Sequence, residues 1–110
     1  MNTLSIKLTD KYFGSYMHFG GLLITRYSTF TFNFATNGNK ELFGKCTLIG
    51  NNGSSNETLS ISFDNTNHII TITSDINWNN FKVILMGELT AAWPYNNIRD
   101  GVFVFTSSVT

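Results

Sequence analysis

Residues 30–46 read FTFNFATNGNKELFGKC, and this stretch decides the fold. Its three phenylalanines alternate with Thr31 and Asn33, which is the period of a β-strand that has one apolar face. Asn37-Gly38 then favours a short hairpin loop, because this dipeptide readily takes positive φ values. A second alternating run follows, with one face made of Leu42, Gly44, Cys46 and Leu48. The stretch therefore predicts two strands, each with one apolar face.

The same two-residue alternation recurs along the whole chain, and helical spacing is rare. Gly20-Gly21 is a turn candidate, and residues 50–56, GNNGSSN, indicate a loop. The remaining extended runs are residues 4–8, 11–19, 22–27, 59–63, 68–73, 81–89 and 101–106. Together with the opening stretch, they predict about eight strands with short connections, in a single all-β domain over residues 1–110.

The predicted strands have to cover their apolar faces and protect their edges. A sheet that closes on itself does both, and about eight strands is the size at which a barrel is filled by side chains or holds one small ligand. Gly44 and Gly87 lie mid-strand on the inward register, where a coiling strand bends. We therefore predict an antiparallel up-and-down β-barrel. The alternative is a two-sheet β-sandwich with Greek-key crossings.

The row of phenylalanine side chains at Phe30, Phe32 and Phe34 has two interpretations. Burying each ring contributes roughly 1.5–3 kcal/mol, so core packing explains all three. They would line a ligand cavity only if the barrel were underfilled. We predict that the three rings are core.

Charge and hydropathy exclude several classes of function. Seven Lys and Arg balance seven Asp and Glu, so the basic excess typical of a nucleic-acid-binding protein is missing. No apolar run has the length of a membrane span, and the N-terminal residues lack the apolar segment of a signal peptide. The single cysteine allows no internal disulfide. These features predict a cytoplasmic protein that binds neither nucleic acid nor membranes.

Two segments carry a family resemblance. LTDKYFGSYM, residues 8–17, is similar to the first strand and loop of avidin-like barrels, which are relatives of the lipocalins; GELTAAW and GVFVF, within residues 87–105, resemble the late strands. The resemblance implies a small-ligand-binding barrel, with Ser15 as a ligand-binding hydroxyl. Tyr12 replaces the usual strand tryptophan, and Asp100 precedes Gly101, whereas the avidin ligand-binding aspartate would follow the glycine. The resemblance does not imply biotin binding.

The residue pattern gives little support for a metal site or for a catalytic site. His18 and His68 are far apart in sequence and are predicted at strand ends, and Cys46 is predicted to be a small, poorly reactive buried residue. The aspartates fall at predicted turns, where Asp commonly stabilises the turn; these are Asp10, Asp64, Asp75 and Asp100. We expect no metal, no cofactor and no enzymatic activity.

The densest functional pattern is WPYNNIRD, residues 93–100. Trp93 and Tyr95 offer flat apolar faces, and three neighbours, Asn96, Asn97 and Arg99, offer hydrogen-bond donors. A sugar ring needs this mixture, but so does a protein interface, and a plain hairpin loop would also explain it. Trp78, within the SDINWNN segment, allows the same three interpretations: a sugar site, a protein interface or a plain loop.

The leading functional hypothesis is non-catalytic binding of a small ligand or glycan at a barrel mouth. The alternative is a small inhibitor, of the immunity or anti-defence type, that blocks a partner protein. An unclosed edge strand would favour self-association under either hypothesis. The predicted binding residues are Trp93, Tyr95, Asn96, Asn97, Arg99, Trp78, Ser15 and Tyr12.

Overall fold

A computed structural model describes residues 2–9, 13–51, 56–78, 81–88 and 105–110, with backbone alone for residues 81–88 and 105–107. In this part of the chain, no helix has the length and apolar character needed to cross a bilayer. Its strands are β1 (Thr3–Leu8), β2 (His18–Thr25), β3 (Ser28–Thr36), β4 (Leu42–Asn51), β5 (Leu59–Asp64), β6 (Ile69–Ser74), β7 (Phe81–Glu88) and β8 (Phe105–Val109).

The strands form two four-stranded antiparallel sheets, so the all-β prediction is confirmed. The first sheet has the order β5-β6-β1-β8, and the second has the order β4-β3-β2-β7. An up-and-down barrel would pair β1 with β2, but these strands lie in different sheets, and no pairing among the described residues closes a barrel. The physical reason is that a short connection can cross between two sheets as easily as it can turn a hairpin.

One hydrophobic core joins the two sheets. The rings of Phe34, on β3, and Phe63, on β5, meet edge to face with centroids 6.0 Å apart. Phe30 and Phe32 are each 4% exposed and Phe34 is fully buried, so the prediction that these rings are core is confirmed. The buried apolar residues of the cluster are Leu4, Ile6, Leu8, Met17, Phe19, Leu23, Phe30, Phe32, Phe34, Leu42, Ile70, Ile72 and Trp78.

The turn predicted at Gly20-Gly21 is wrong, because both glycines lie inside β2. A Cβ atom on Gly20 would lie 2.9 Å from the carbonyl oxygen of Phe32 on the neighbouring strand. Glycine at this position therefore permits a close approach of two backbones within a strand.

Leu48 lies on the predicted face of β4, opposite the buried Phe30, but it is not buried. The pairing of β3 with β4 shifts between Thr29 and Phe30, which pair with Gly50 and Leu48 and leave Ile49 as an extra residue. Such a bulge bends the strand and turns its side chains away from the regular alternation. The bulge comes after Leu48, which is 47% exposed at the edge of its sheet; the extra residue Ile49 is 60% exposed.

Asn37 closes the loop that follows β3, at the place where Asn37-Gly38 predicts a short loop. The side-chain oxygen of Asn37 accepts hydrogen bonds from the backbone N–H groups of Asn39 and Glu41. The positive φ, however, lies at Lys40, at 62°. The asparagine organises this loop through its side chain.

Asp64 confirms the prediction that aspartates stabilise turns. Its carboxylate accepts hydrogen bonds from the side-chain amide and backbone N–H of Asn67 and from the backbone N–H of Thr66. These bonds favour the charged form, with the Asn67 side chain contributing most, and hold the pKa of Asp64 below its usual value. Asp75 differs, because it accepts the backbone N–H of Thr58, 17 residues away, and so links two segments. Asp10 and Asp100 lie outside the described residues.

Gly44 provides a stability test of the bend predicted in β4. Its φ is +144°, and an added Cβ would lie 2.1 Å from the carbonyl oxygen of Asn33. We expect Gly44→Ala to lower the free energy of unfolding by about 2 kcal/mol or more, through strain and overlap. Gly50→Ala is the matched control on the same strand, because nothing lies within 4 Å of its Cβ position. Equal urea midpoints for the two variants would contradict the strain at Gly44.

Candidate functional site

The outer face of the second sheet carries a patterned set of side chains. These positions alternate with the buried residues of β2, β3 and β4. Strand register aligns them in rows, one of which is His18–Ala35–Phe43 and the next Gly20–Asn33–Lys45. Because the backbone ladder fixes each row, side chains from three strands converge on one surface.

This face holds two open depressions that share His18 and Asn33, and we call them together the outer groove. Their volumes are about 520 and 500 Å³, within the range of small-ligand pockets. The small residues Gly20 and Ala35 lie between larger neighbours and leave this space open. One depression is lined by His18, Asn33, Phe34, Ala35, Phe43, Gly44 and Lys45, and the other by His18, Gly20, Gly21, Leu22, Thr31, Phe32 and Asn33.

A side-chain hydrogen bond sits where the two depressions meet. Nε2 of His18 lies 2.5 Å from Oδ1 of Asn33. Since an amide oxygen only accepts, this contact places an N–H on Nε2 of His18. The Nδ2 group of Asn33 makes no hydrogen bond to a described residue, and it is available as a donor at an exposed position.

Phe43 supplies an apolar surface to the outer groove. Its ring is 51% exposed, which is unusual for phenylalanine in a strand. Lys45, two residues along the same strand, is also exposed and adds an ammonium donor. A ring, an amide and an ammonium group on one face can bind a flat polar molecule by stacking and hydrogen bonds.

A second polar cluster lies buried, around Glu57. The carboxylate is 7% exposed and accepts hydrogen bonds from Oγ1 of Thr25 at 2.7 Å and from Nε1 of Trp78 at 2.6 Å. It also accepts from the hydroxyl of Ser74. The cluster ties the end of β2, the residues before β5 and the end of β6 together, so Glu57 stabilises the fold.

Two of the predicted binding residues have defined structural contacts. Trp78 is 2% exposed, packs in the core and donates its indole N–H to Glu57. The hydroxyl of Ser15 donates to the carbonyl of Gly38 at 2.9 Å, which ties the β1–β2 connection to the loop after β3. The structure brings neither of them into the outer groove lining. The other predicted binding residues lie outside the described residues; they are Tyr12, Trp93, Tyr95, Asn96, Asn97 and Arg99.

The remaining candidates for metal binding or catalysis, His68 and Cys46, both make packing contacts. His68 stacks on the ring of Phe13, with centroids 3.7 Å apart. Cys46 is partly buried against the core, and this burial raises the pKa of its thiol to about 12. The thiolate is the reactive form, so Cys46 is a poor nucleophile at neutral pH. Within the described ranges, no three His, Cys, Asp or Glu residues are grouped to hold a metal ion.

Sequence reasoning missed both the buried Glu57 cluster and the outer groove with its exposed Phe43. Glu57 sits in a polar loop segment, where nothing in the residue pattern indicates burial. Phe43 did carry a signal, because it is an aromatic residue at the polar phase of an alternating strand, between Leu42 and Gly44.

Comparison of the chain with protein-family models, with curated protein sequences and with solved structures gave no match. The avidin-like resemblance therefore stays a prediction.

Proposed function

We propose that the protein is a non-catalytic binding protein that holds a small polar ligand or a glycan in the outer groove. The observation that carries this proposal is the exposed ring of Phe43 on the same sheet face as Asn33 and Lys45. A sugar presents an apolar C–H face and a rim of hydroxyl groups. The ring would stack on the first, and the amide and ammonium groups would bind the second.

The position of these side chains on a sheet supports the proposal. Asn33 and Lys45 are paired in register, and Phe43 is paired with Ala35 in the adjacent row. Backbone pairing therefore fixes their spacing before any ligand arrives. Groups held in place in advance lose less conformational entropy on binding.

The groove chemistry favours binding over catalysis. The described partner of His18 is a neutral amide, which accepts a hydrogen bond from the ring but is too weak a base to take up its proton. In triad-type sites, by contrast, a carboxylate orients the histidine and stabilises its charged form. We propose that His18 positions Asn33 and contributes hydrogen bonds to the ligand.

The scaffold we propose is the two-sheet β-sandwich. What supports it is the shared core between the sheets, with Phe34 contacting Phe63 across them. In this arrangement the binding surface lies on the outside of one sheet, in place of a barrel mouth. The segment from Trp93 to Arg99 stays a second proposed site, and the experiment below separates the two.

The binding proposal is tested with an array of immobilised glycans, followed by calorimetric titration of a free saccharide that the array retains. We expect Phe43→Ala to weaken binding by about tenfold or more, since buried aromatic anchors carry much of a binding energy. Leu48→Ala is the matched control, because it removes an exposed apolar side chain of the same strand outside the groove lining.

Two outcomes would count against the outer groove. One is unchanged affinity in the Phe43→Ala variant. The other is loss of binding in Trp93→Ala alone, which would move the site to residues 93–100. Retention of no glycan at all would remove glycans from the proposal.

The inhibitor alternative is favoured by one observation, the exposed apolar side chains of Leu48 and Ile49. Surface patches of this kind mark protein contacts when they are contiguous. Under this alternative, a specific host protein would be captured by the wild-type chain and lost with Ile49→Lys, while glycan binding would be absent from both.

A further inference from the structure

β4 lies at the end of its sheet. It runs from Leu42 to Asn51, and its ten residues make it the longest strand of the described chain. Among the described residues, β3 alone pairs with it, on one side. An edge strand of this length presents backbone N–H and C=O groups that another strand can bind.

Two hydrogen bonds show which residues present those groups. The N–H of Leu42 donates to Oδ1 of Asn65 at 2.8 Å, and therefore points away from β3. The carbonyl of Thr47 accepts from the hydroxyl of Thr31 on β3, and therefore points toward β3. Because direction alternates along an antiparallel strand, residues 44, 46 and 48 share the outward direction of residue 42.

The same strand concentrates exposed apolar surface. Four large hydrophobic residues of the described chain are strongly exposed, and three of them, Phe43, Leu48 and Ile49, lie on β4. Lys45 is the single charged residue of the strand. Beyond Leu42, whose N–H binds Asn65, no described strand pairs with this edge, and its apolar side chains at both ends with one charge between them suit a partner of the same kind.

We propose that β4 pairs antiparallel with β4 of a second copy of this chain, about a two-fold axis that passes through Cys46. In this register Phe43 faces Ile49 of the second copy, and Lys45 faces Thr47. Each exposed apolar residue at one end of the strand thus lies beside its counterpart at the other end, and the outer face of the Phe43 ring stays open. A two-fold axis makes every such contact twice.

The glycine in the strand fits the same register. Gly44 faces Leu48 of the second copy, so the larger side chain lies over a position without one. Like Cys46, these two residues direct their backbone groups outward, which gives hydrogen-bonded pairs along the new edge.

The neighbouring registers are less favourable. The outward backbone N–H and C=O groups of the two copies face each other only when the two-fold axis passes through a residue and not between two residues. The nearest alternative registers are therefore those centred on Lys45 and on Thr47. The first places Lys45 opposite Lys45, and like charges directly opposite destabilise a pair of strands. The second places Phe43 opposite Asn51 and Lys45 opposite Ile49, which pairs apolar with polar side chains at both positions.

Analytical ultracentrifugation of the purified chain over a range of micromolar concentrations tests the dimer. We expect a reversible dimer for the wild type and a monomer for Ile49→Lys, since the new charge would face Phe43. Ser62→Lys is the control, because it adds the same charge at an exposed position of another sheet-edge strand, β5. A wild-type monomer at the highest concentration, or a dimer that persists in Ile49→Lys, would overturn the proposal.

Disulfide trapping tests the register. Residues 45 and 47 form a non-hydrogen-bonded pair across the proposed edge, where Cα atoms come close enough for a disulfide. In a Cys46→Ala background, the double variant Lys45→Cys with Thr47→Cys should form a covalent dimer on mild oxidation, and neither single variant should. Crosslinking of Thr47→Cys alone would shift the axis to residue 47, and crosslinking of Lys45→Cys alone would shift it to residue 45; either result overturns the Cys46-centred register.

Discussion

Replacing Phe34 with alanine is expected to lower the free energy of unfolding by about 4 kcal/mol, because the change leaves a cavity in a close-packed core. The ring is fully buried and contacts three others, those of Phe19, Phe32 and Phe63. The contact with Phe63 is made between the two sheets. Loss of this ring therefore removes packing within one sheet and also between the sheets.

Urea denaturation followed by circular dichroism measures this effect. Phe43→Ala is the matched control, since it makes the same chemical change on the next strand at an exposed position. We expect it to cost less than about 1 kcal/mol. If Phe34→Ala does not fold, Phe34→Leu should fold with a loss of about 1.5 kcal/mol. Equal losses for Phe34→Ala and Phe43→Ala would contradict the core assignment.

Replacing Glu57 with alanine is expected to cost about 3 kcal/mol of stability, because three buried donors lose their acceptor. The carboxylate accepts from Thr25 at the end of β2 and from Ser74 and Trp78, at and just after the end of β6. Alanine leaves a cavity where those hydrogen bonds were. The same denaturation experiment measures the change.

Two further variants identify the cause of that loss. Glu57→Gln keeps the shape and one acceptor oxygen, so its cost should fall between those of wild type and alanine. Glu41→Ala removes an exposed carboxylate that accepts one hydrogen bond from Asn37, and should cost less than about 1 kcal/mol. A Glu57→Ala protein as stable as Glu41→Ala would show that the buried cluster contributes nothing.

The positions of most strands could be predicted from the sequence. Alternation correctly identified the buried faces of β1 and β3, because a half-buried strand has to place apolar side chains at every second residue. The partner of each strand could not be predicted in this way. β1 carries the same alternation whether it pairs with β2 or, as observed, with β6 and β8.

The candidate site was less predictable than the fold. The burial of Trp78 depends on Glu57, which is 21 residues away in sequence and has no local feature of a core residue. The exposure of Leu48 accompanies the position of β4 at the edge of its sheet, which the alternation of the strand does not reveal. Both results come from tertiary pairing, whereas the out-of-phase Phe43 was readable from the strand alone.

The position of β1 has a consequence for how the chain folds during synthesis. β1 lies between β6 and β8, so Leu4 pairs with Ile72 on one side and with Val109 on the other. β1 therefore leaves the ribosome about a hundred residues before its partner β8, and its sheet is complete only when β8 follows. Contacts this distant in sequence give a high contact order, and folding on the millisecond-to-second scale is typical of such topologies. Until then β1 has an unpaired edge, and incomplete sheets of this kind are the surfaces that chaperones bind in general.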